Sequence, residues 1–370
     1  MKRETNFLVA ATFALIMVGL LMVYSIGAIK APSGKMLATH LVYASLGLCI
    51  MFVVAHIDYH CLRSPAVYVP LVLVTLTLLV LVFVPKIGVS KYGAQRWVRL
   101  FSIQFQPSEL AKLALIVLLA VKLTENQEHI KSFRRGMLPP VVITALFAGL
   151  VLLERDLGMP VVLMAAAFLM IFAAGARWRH VILSVLLGVA LVALLSVTSP
   201  HRLDRLRVYR NPWEFRKDEG FQLIQSLTAI ERGGLWGKGP GASEQKLFYL
   251  PAANTDFIFA IWAEEMGVVG CLAILAVYAG ILVVAIRIAT HARDLFGALL
   301  AIGIISLIAF QAAFIMAVTT GMVPTKGMPL PFVSYGGTAL VVFLALMGIL
   351  LNIGRQAQPT PTDRPLVSAA

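Results

Sequence analysis

Apolar residues run in long unbroken blocks along this chain, separated by short polar turns and by one unusually long polar segment from about 199 to 256. Blocks near 8–29, 37–56, 66–85, 108–122, 139–153, 159–175, 179–198, 257–286, 295–320 and 332–353 approach the roughly 17 to 25 residues that cross about 30 Å of hydrocarbon. None alternates with a period of two. Because backbone amides in lipid must be satisfied within a helix or a closed barrel, the pattern predicts an all-α fold of ten transmembrane helices. The first block is too long for the apolar part of a signal peptide and reads as an uncleaved anchor.

Composition agrees with the pattern. Of 370 residues, 59% are hydrophobic and 13% charged, outside the usage of soluble domains. One membrane domain is expected over residues 1–354, followed by a proline-containing polar tail, 355–370, that has little to bury and is expected to be disordered. No repeat of 20 to 50 residues is evident, nor the inverted repeat of many transporters.

Threading ten spans gathers Lys2, Arg3, Lys122, Lys131, Arg134, Arg135, Arg177, Arg179, Arg287 and Arg293 on one side, which the positive-inside rule makes the cytoplasm. Both termini are then cytoplasmic, and the loops 85–107, 199–256 and 321–331 face outward. The net charge of +13 is spread over many loops with no basic, aromatic-interleaved domain, which argues against nucleic acid and for anionic phospholipid and a phosphorylated lipid. Cys49, Cys61 and Cys271 fit no metal spacing, and no disulfide framework is expected.

Candidate chemistry lies in the outer loops. Lys91-Tyr92-Gly93-Ala94-Gln95-Arg96-Trp97-Val98-Arg99 leads to Gln106-Pro107-Ser108-Glu109, where Pro107 and Ser108 suit a helix start. Glu109 and Lys112, three apart, share a helix face and can form a buried structural ion pair or a pocket wall. Asp156, in Glu154-Arg155-Asp156-Leu157-Gly158, can cap the next helix or join a site of outer acids.

Arg202, Arg205, Arg207 and Arg210 make either an interfacial basic face or a clamp for phosphate. Gly220-Phe221-Gln222-Leu223-Ile224-Gln225-Ser226-Leu227 precedes a glycine-rich run, 233–241, which also holds Lys238; its spacing is that of no nucleotide motif, so a tight turn competes with a ligand loop.

Asp256 heads the eighth span after Asn254 and Thr255. It either marks the helix start or acts as a base or metal ligand, the helix N-terminus favouring its ionised form. Glu264 and Glu265, about two turns deeper, read as bundle-facing structural groups. The proline- and glycine-rich run 321–337 suggests a re-entrant-like loop with Lys326 projecting into a cavity, or a plain surface turn.

Taken together, Gly93-Ala94-Gln95-Arg96-Trp97, Gln106-Pro107-Ser108-Glu109, Asp156-Leu157-Gly158, Thr255-Asp256-Phe257-Ile258-Phe259 with Glu264-Glu265, and Pro331-Phe332-Val333-Ser334-Tyr335-Gly336-Gly337 resemble the SEDS family (shape, elongation, division and sporulation) from the first span to the last. Gln225-Ser226-Leu227, Gln245 to Pro251 and Pro324-Thr325-Lys326-Gly327 resemble its division branch more than its elongation branch. Arg155 stands where the family usually has proline, and Met159 where a small hydroxyl residue is common.

The resemblance implies a peptidoglycan glycosyltransferase that polymerises lipid II at the outer membrane face beside a class B penicillin-binding protein and other divisome membrane proteins. It implies Asp256 as base or as ligand of a divalent cation, magnesium or manganese. Arg96, Arg202, Arg205, Arg210, Lys238 and Lys326 would meet pyrophosphate, while Glu109, Lys112, Asp156, Gln225, Ser226 and Ser334 would shape the substrate cavity. A lipid II flippase and a septal scaffold are the rival readings.

Overall fold

All ten apolar blocks fold as helices in the computed structural model, which describes residues 2–30, 34–91, 94–100, 103–154, 156–197, 207–216, 220–247, 250 and 254–357. They are α1 (Lys2–Lys30), α2 (Lys35–Val54), α3 (Pro65–Leu81), α4 (Pro107–Glu125), α5 (Leu138–Leu153), α6 (Gly158–Ala173), α7 (Trp178–Val197), α9 (Ile258–Thr290), α10 (Leu295–Thr319) and α11 (Gly337–Gln356), with α8 (Phe221–Gly233) inside the long polar segment. Six helical stretches are long and apolar enough to cross a bilayer by themselves, and α3, α6 and α7 are shorter apolar helices. The chain is a polytopic membrane protein. Burial is concentrated on α4, α10 and α11, whereas α2, α7 and the second half of α9 turn Leu, Val and Phe side chains outward, as lipid-facing helices do.

Three features differ from the pattern expected of the sequence. A small antiparallel sheet, β1 (Gly88–Lys91), β2 (Ala94–Leu100) and β3 (Ile103–Phe105), fills the loop before α4, with Gly88 opposite Val98 and Val98 opposite Phe105. Alternation on β2 places Arg96 and Val98 on one face, and Val98 is wholly buried, so that face is the inner one. The final span starts at Gly337 rather than 332, because Phe332 to Gly336 belong to a buried turn.

The third difference is in α9, where Gly267 leaves the helix at φ 64°. Chain 233–239 fills the break: the amides of Lys238 and Gly239 donate to the carbonyls of Glu264 and Glu265 at 3.0 Å, and those of Val268 and Val269 donate to Gly234 and Leu235. A methyl group on Gly233 would sit 2.0 Å from the Ala263 carbonyl oxygen, and one on Gly237 2.1 Å from that of Glu265. The glycine run is therefore a backbone splint. The carbonyls of Glu264 and Glu265 and the amides of Val268 and Val269 thereby find partners, as interrupted helices in a bilayer require.

Charge completes the splint. Glu265 pairs with Lys246 at 2.8 Å, and Glu264 accepts from the hydroxyl of Ser243 and the amides of Glu244 and Gln245. The two deep glutamates thus hold the long loop, and Glu265 also accepts from the Ser25 hydroxyl of α1 at 3.3 Å.

Candidate active site

Residues 323–336 form a turn sunk among α1, α6, α9 and α10, with Met328, Leu330, Phe332 and Val333 almost wholly buried. Gly19 of α1 lies against the Val333 carbonyl and Gly158 of α6 against the Met328 side chain, so tightly that neither has room for a methyl group without movement. Tyr278 donates to the Pro331 carbonyl and Gln311 to that of Pro329. Phe332 is held at φ 65°, a strained conformation for a bulky residue, and the packing around it maintains that strain. Burial from Met328 to Ser334 suits the re-entrant-like reading, whereas Met322 is exposed and Lys326 half-buried.

The turn fixes Asp256. Ser334 accepts from the Leu330 amide at 2.8 Å and donates to the Thr255 carbonyl at 2.6 Å. The Tyr335 amide donates to the Asn254 carbonyl at 2.9 Å. Both residues before Asp256 are therefore pinned through their backbones. Gly327 then presses its bare Cα against the carboxylate: a methyl group there would lie 2.4 Å from Oδ2. Lys326, half-buried, is the residue just before that contact.

Asp256 is not spent on capping. Phe257 occupies the N-cap of α9, and no side chain caps it. Burial pushes the Asp256 carboxyl up to about 6; Thr255 and Arg96 oppose the shift and Asp156 adds to it. The sequence led us to expect the helix start to favour the ionised form, but desolvation outweighs that effect here. A carboxylate near 6 is a better proton acceptor at neutral pH than an ordinary aspartate.

Across from it stands Arg96, directed inward by β2. Its Nη1 lies 3.3 Å from Oδ2 of Asp156, while Oδ1 of Asp156 accepts from the amides of Gly158 at 3.0 Å and Met159 at 3.4 Å. Asp156 is thus at once a cap for α6 and the partner of Arg96. Glu154 is fully buried, and neither of its carboxyl oxygens has a partner with hydrogen-bond geometry. Burial first and the charge of Asp156 second raise it to about 9, against Arg96 and Ser108. At neutral pH it carries its proton.

Glu109 and Lys112 meet at 2.6 Å with no exposure. Lys112 also donates to Gln311 at 3.1 Å and lies 4.0 Å from the centre of the Phe343 ring. Because Gln311 in turn holds Pro329, the pair on α4 braces the buried turn. Gln311, Gly327, Thr255 and Glu154 were not selected from the sequence. A lone glutamine in the apolar block 295–320 was the available signal for the first.

Other candidates lie away from this cluster. Ser226 is buried and donates to the Thr319 carbonyl at 2.8 Å, fastening α8 to α10, and Gln225 beside it is half-buried. Lys238 binds Glu244 at 2.8 Å and Glu264 at 3.4 Å, within the splint. Arg210 is exposed on a helical segment, residues 207–210, whose Tyr209 hydroxyl donates to the Met322 carbonyl. Arg202 and Arg205 lie outside the described residues, as does Arg155. Among the described residues no three acidic, histidine or cysteine side chains converge as a metal site.

The chain is similar to known proteins over nearly its whole length. A probable peptidoglycan glycosyltransferase FtsW of Geobacter sulfurreducens is 42% identical over 353 residues, 94% of each chain. Stage V sporulation protein E of Bacillus subtilis is 41% identical over 356 residues, 95% of this chain and 97% of that one. Among solved structures, a chain from a study of how a peptidoglycan synthase complex coordinates polymerization and crosslinking matches with a TM-score of 0.77 at 30% identity, covering 94% of this chain and 96% of its own. The rod shape determining protein RodA of Thermus thermophilus matches with a TM-score of 0.69 at 28% identity, covering 95% and 97%. The profile of the FtsW, RodA and SpoVE family, described as cell cycle protein, covers residues 6–359, and the chain belongs to that family.

Proposed function

We propose that this chain is a peptidoglycan glycosyltransferase of the FtsW type, polymerising lipid II on the outer face of the cytoplasmic membrane during septal wall synthesis. The observation that carries the reading is the placement of the Asp256 carboxylate between a backbone fixed at Thr255 by Ser334 and Gly327 of the buried turn, where burial raises it to about 6. A structural acid at a helix start would be capping the helix.

In the reaction the 4-hydroxyl oxygen of the acceptor N-acetylglucosamine attacks the anomeric carbon of the donor muramyl sugar. The new C–O bond forms as the bond to undecaprenyl pyrophosphate breaks, and the leaving group takes that electron pair, with inversion at carbon. The hydroxyl proton passes to Asp256. Negative charge collects on the departing pyrophosphate, where Arg96 and Lys326 supply cationic groups. The Arg96–Asp156 pair orients the guanidinium, and the Glu109–Lys112–Gln311 chain keeps the turn rigid.

In the alternative role to base, Asp256 is the carboxylate that would hold a divalent cation. When bound it would neutralise leaving-group charge. The partners we propose are a class B penicillin-binding protein that cross-links the product and further divisome membrane proteins. The distribution of basic residues in the short loops supports a cytoplasmic position for both termini.

Formation of glycan strands from labelled lipid II by the purified chain, with and without the class B partner, tests the reading. A parallel liposome assay measures movement of lipid II between leaflets. Polymer without accelerated movement supports an enzyme; movement without polymer would indicate a flippase, and neither activity a scaffold.

A further inference from the structure

A second site lies at the far end of α11. From Gly337, beside the Ser334–Thr255 contact, to Arg355 is 18 residues, about 27 Å at 1.5 Å per residue, so this end belongs to the other side of the bundle. Here the start of α1, the end of α2 and the end of α11 enclose a cavity of about 500 Å³ lined by Asn6, Phe13, Met51, Phe52, Leu351 and Arg355 among others. Its walls are almost wholly apolar. Its rim is cationic.

Arg355 lines the cavity, and Arg3 lies one turn before Asn6 on α1. Arg3, Asn6, Ala10 and Phe13 are spaced three, four and three apart, so Arg3 shares the face of α1 that lines the cavity, and it is exposed. Arg355, also exposed, donates through Nη1 to the Ala55 carbonyl at 3.2 Å and to Nε2 of His56 at 3.0 Å. Nδ1 of His56 lies 2.7 Å from the Phe52 carbonyl and so carries the ring proton, which leaves Nε2 as the acceptor. The guanidinium is anchored at the mouth by one nitrogen, and its others make no hydrogen bond among the described residues. Asp58, the nearby carboxylate, already accepts from His60 and Gln356.

We propose that this groove binds an anionic glycerophospholipid of the leaflet on the terminal side, its phosphate between Arg3 and Arg355 and an acyl chain along Phe13, Met51 and Phe52. Charge complementarity selects the headgroup, since a planar fork matches phosphate oxygens, and the apolar walls select a chain rather than a soluble phosphate. The occupant staples α1 and α2 to α11, the helix whose other end carries the turn behind Asp256. This site is separate from the proposed chemistry and stands or falls without it.

The test uses the full chain in nanodiscs doped with phosphatidylglycerol bearing a photoactivatable acyl chain, with the phosphatidylcholine analogue in a parallel sample. The expected result is cross-linked peptides from α1 and α2 around Phe13 and Met51–Phe52, at least fivefold more with phosphatidylglycerol. The double variant Arg3→Gln, Arg355→Gln should remove that preference while the groove still labels. Ala10→Phe, which fills the groove and leaves its charge intact, should abolish labelling there but not elsewhere. Equal labelling by both lipids, label spread evenly over all lipid-facing helices, or labelling lost when the class B partner is added would each overturn the proposal. Lipid II polymerisation by the same samples is a separate readout.

Discussion

Ser334 donates its hydroxyl proton to the carbonyl of Thr255 at 2.6 Å while accepting the Leu330 amide at 2.8 Å, so one buried side chain ties the turn before α11 to the residue before Asp256. Ser334→Ala deletes both bonds and leaves the Leu330 amide without its partner. We expect a loss of about 1–3 kcal/mol of stability and a fall in polymerisation of tenfold or more, with substrate binding less affected. Thermal unfolding and initial rates on lipid II measure the two effects separately.

The raised carboxyl of Asp256 sets a pH dependence with a definite sign. Its ordinary value is 3.8 and its folded value about 6, so the folded chain binds the extra proton between these and stability declines as pH rises through that window. Above about 6 the ionised group costs on the order of 3 kcal/mol. Asp256→Asn should therefore raise the melting temperature at pH 8 and leave it unchanged near pH 4. The rate of the native chain should climb through pH 6 to a plateau. A variant less stable than the native chain at pH 8 would contradict the assignment.

Glu154 holds its proton up to about pH 9, facing Asp156, Arg96 and Ser108. Glu154→Gln preserves shape and neutrality, and should keep activity within about threefold at pH 7. The native chain should lose activity as pH rises past 9, when a second charge appears beside Asp156, whereas the glutamine variant should not. Rate profiles from pH 7 to 10 compare them.

Removing one member of the Glu109–Lys112 pair strands the other charge in the interior. Lys112→Met should cost about 3–5 kcal/mol, and adding Glu109→Gln should restore much of it. If the double variant folds yet polymerises poorly, the pair does more than brace the turn. Full activity would confine it to structure.

The splint across Gly267 predicts a contrast between glycines. Gly233→Ala would place a methyl group 2.0 Å from the Ala263 carbonyl oxygen and should unseat the loop from α9, whereas Gly149→Ala, with nothing within 4 Å, should be neutral or stabilising. Proteolysis of the loop on intact chain distinguishes the two.

The ten helices were legible because hydrocarbon thickness and backbone satisfaction leave few ways to bury such blocks. Pairing of Glu109 with Lys112 was legible from their spacing, and Asp256 from its place at a helix start beside basic loops. What was not legible depended on contacts distant in sequence. Nothing in Gly-Gly-Leu-Trp-Gly-Lys-Gly announces that its amides will complete a helix about 30 residues later, since a glycine run is compatible with any tight turn. The sheet at 88–105 escaped notice because its strands are three to seven residues long, too short for alternation to stand out. Local spacing shows Asp156 as a cap for the next helix, and only the fold shows that it also holds Arg96. The raised carboxyl of Asp256 follows from burial by the 323–336 turn, which a helix-dipole argument omits.

The most direct measurement is glycan-strand formation from labelled lipid II by the native chain and by Asp256→Asn, each with its class B partner and each verified as folded by thermal unfolding. The account predicts polymer from the native complex and a loss of at least a hundredfold in the variant, with no loss of stability at pH 8. Undiminished polymer from the folded variant would remove Asp256 from the chemistry and leave the acids around Arg96 as structural groups.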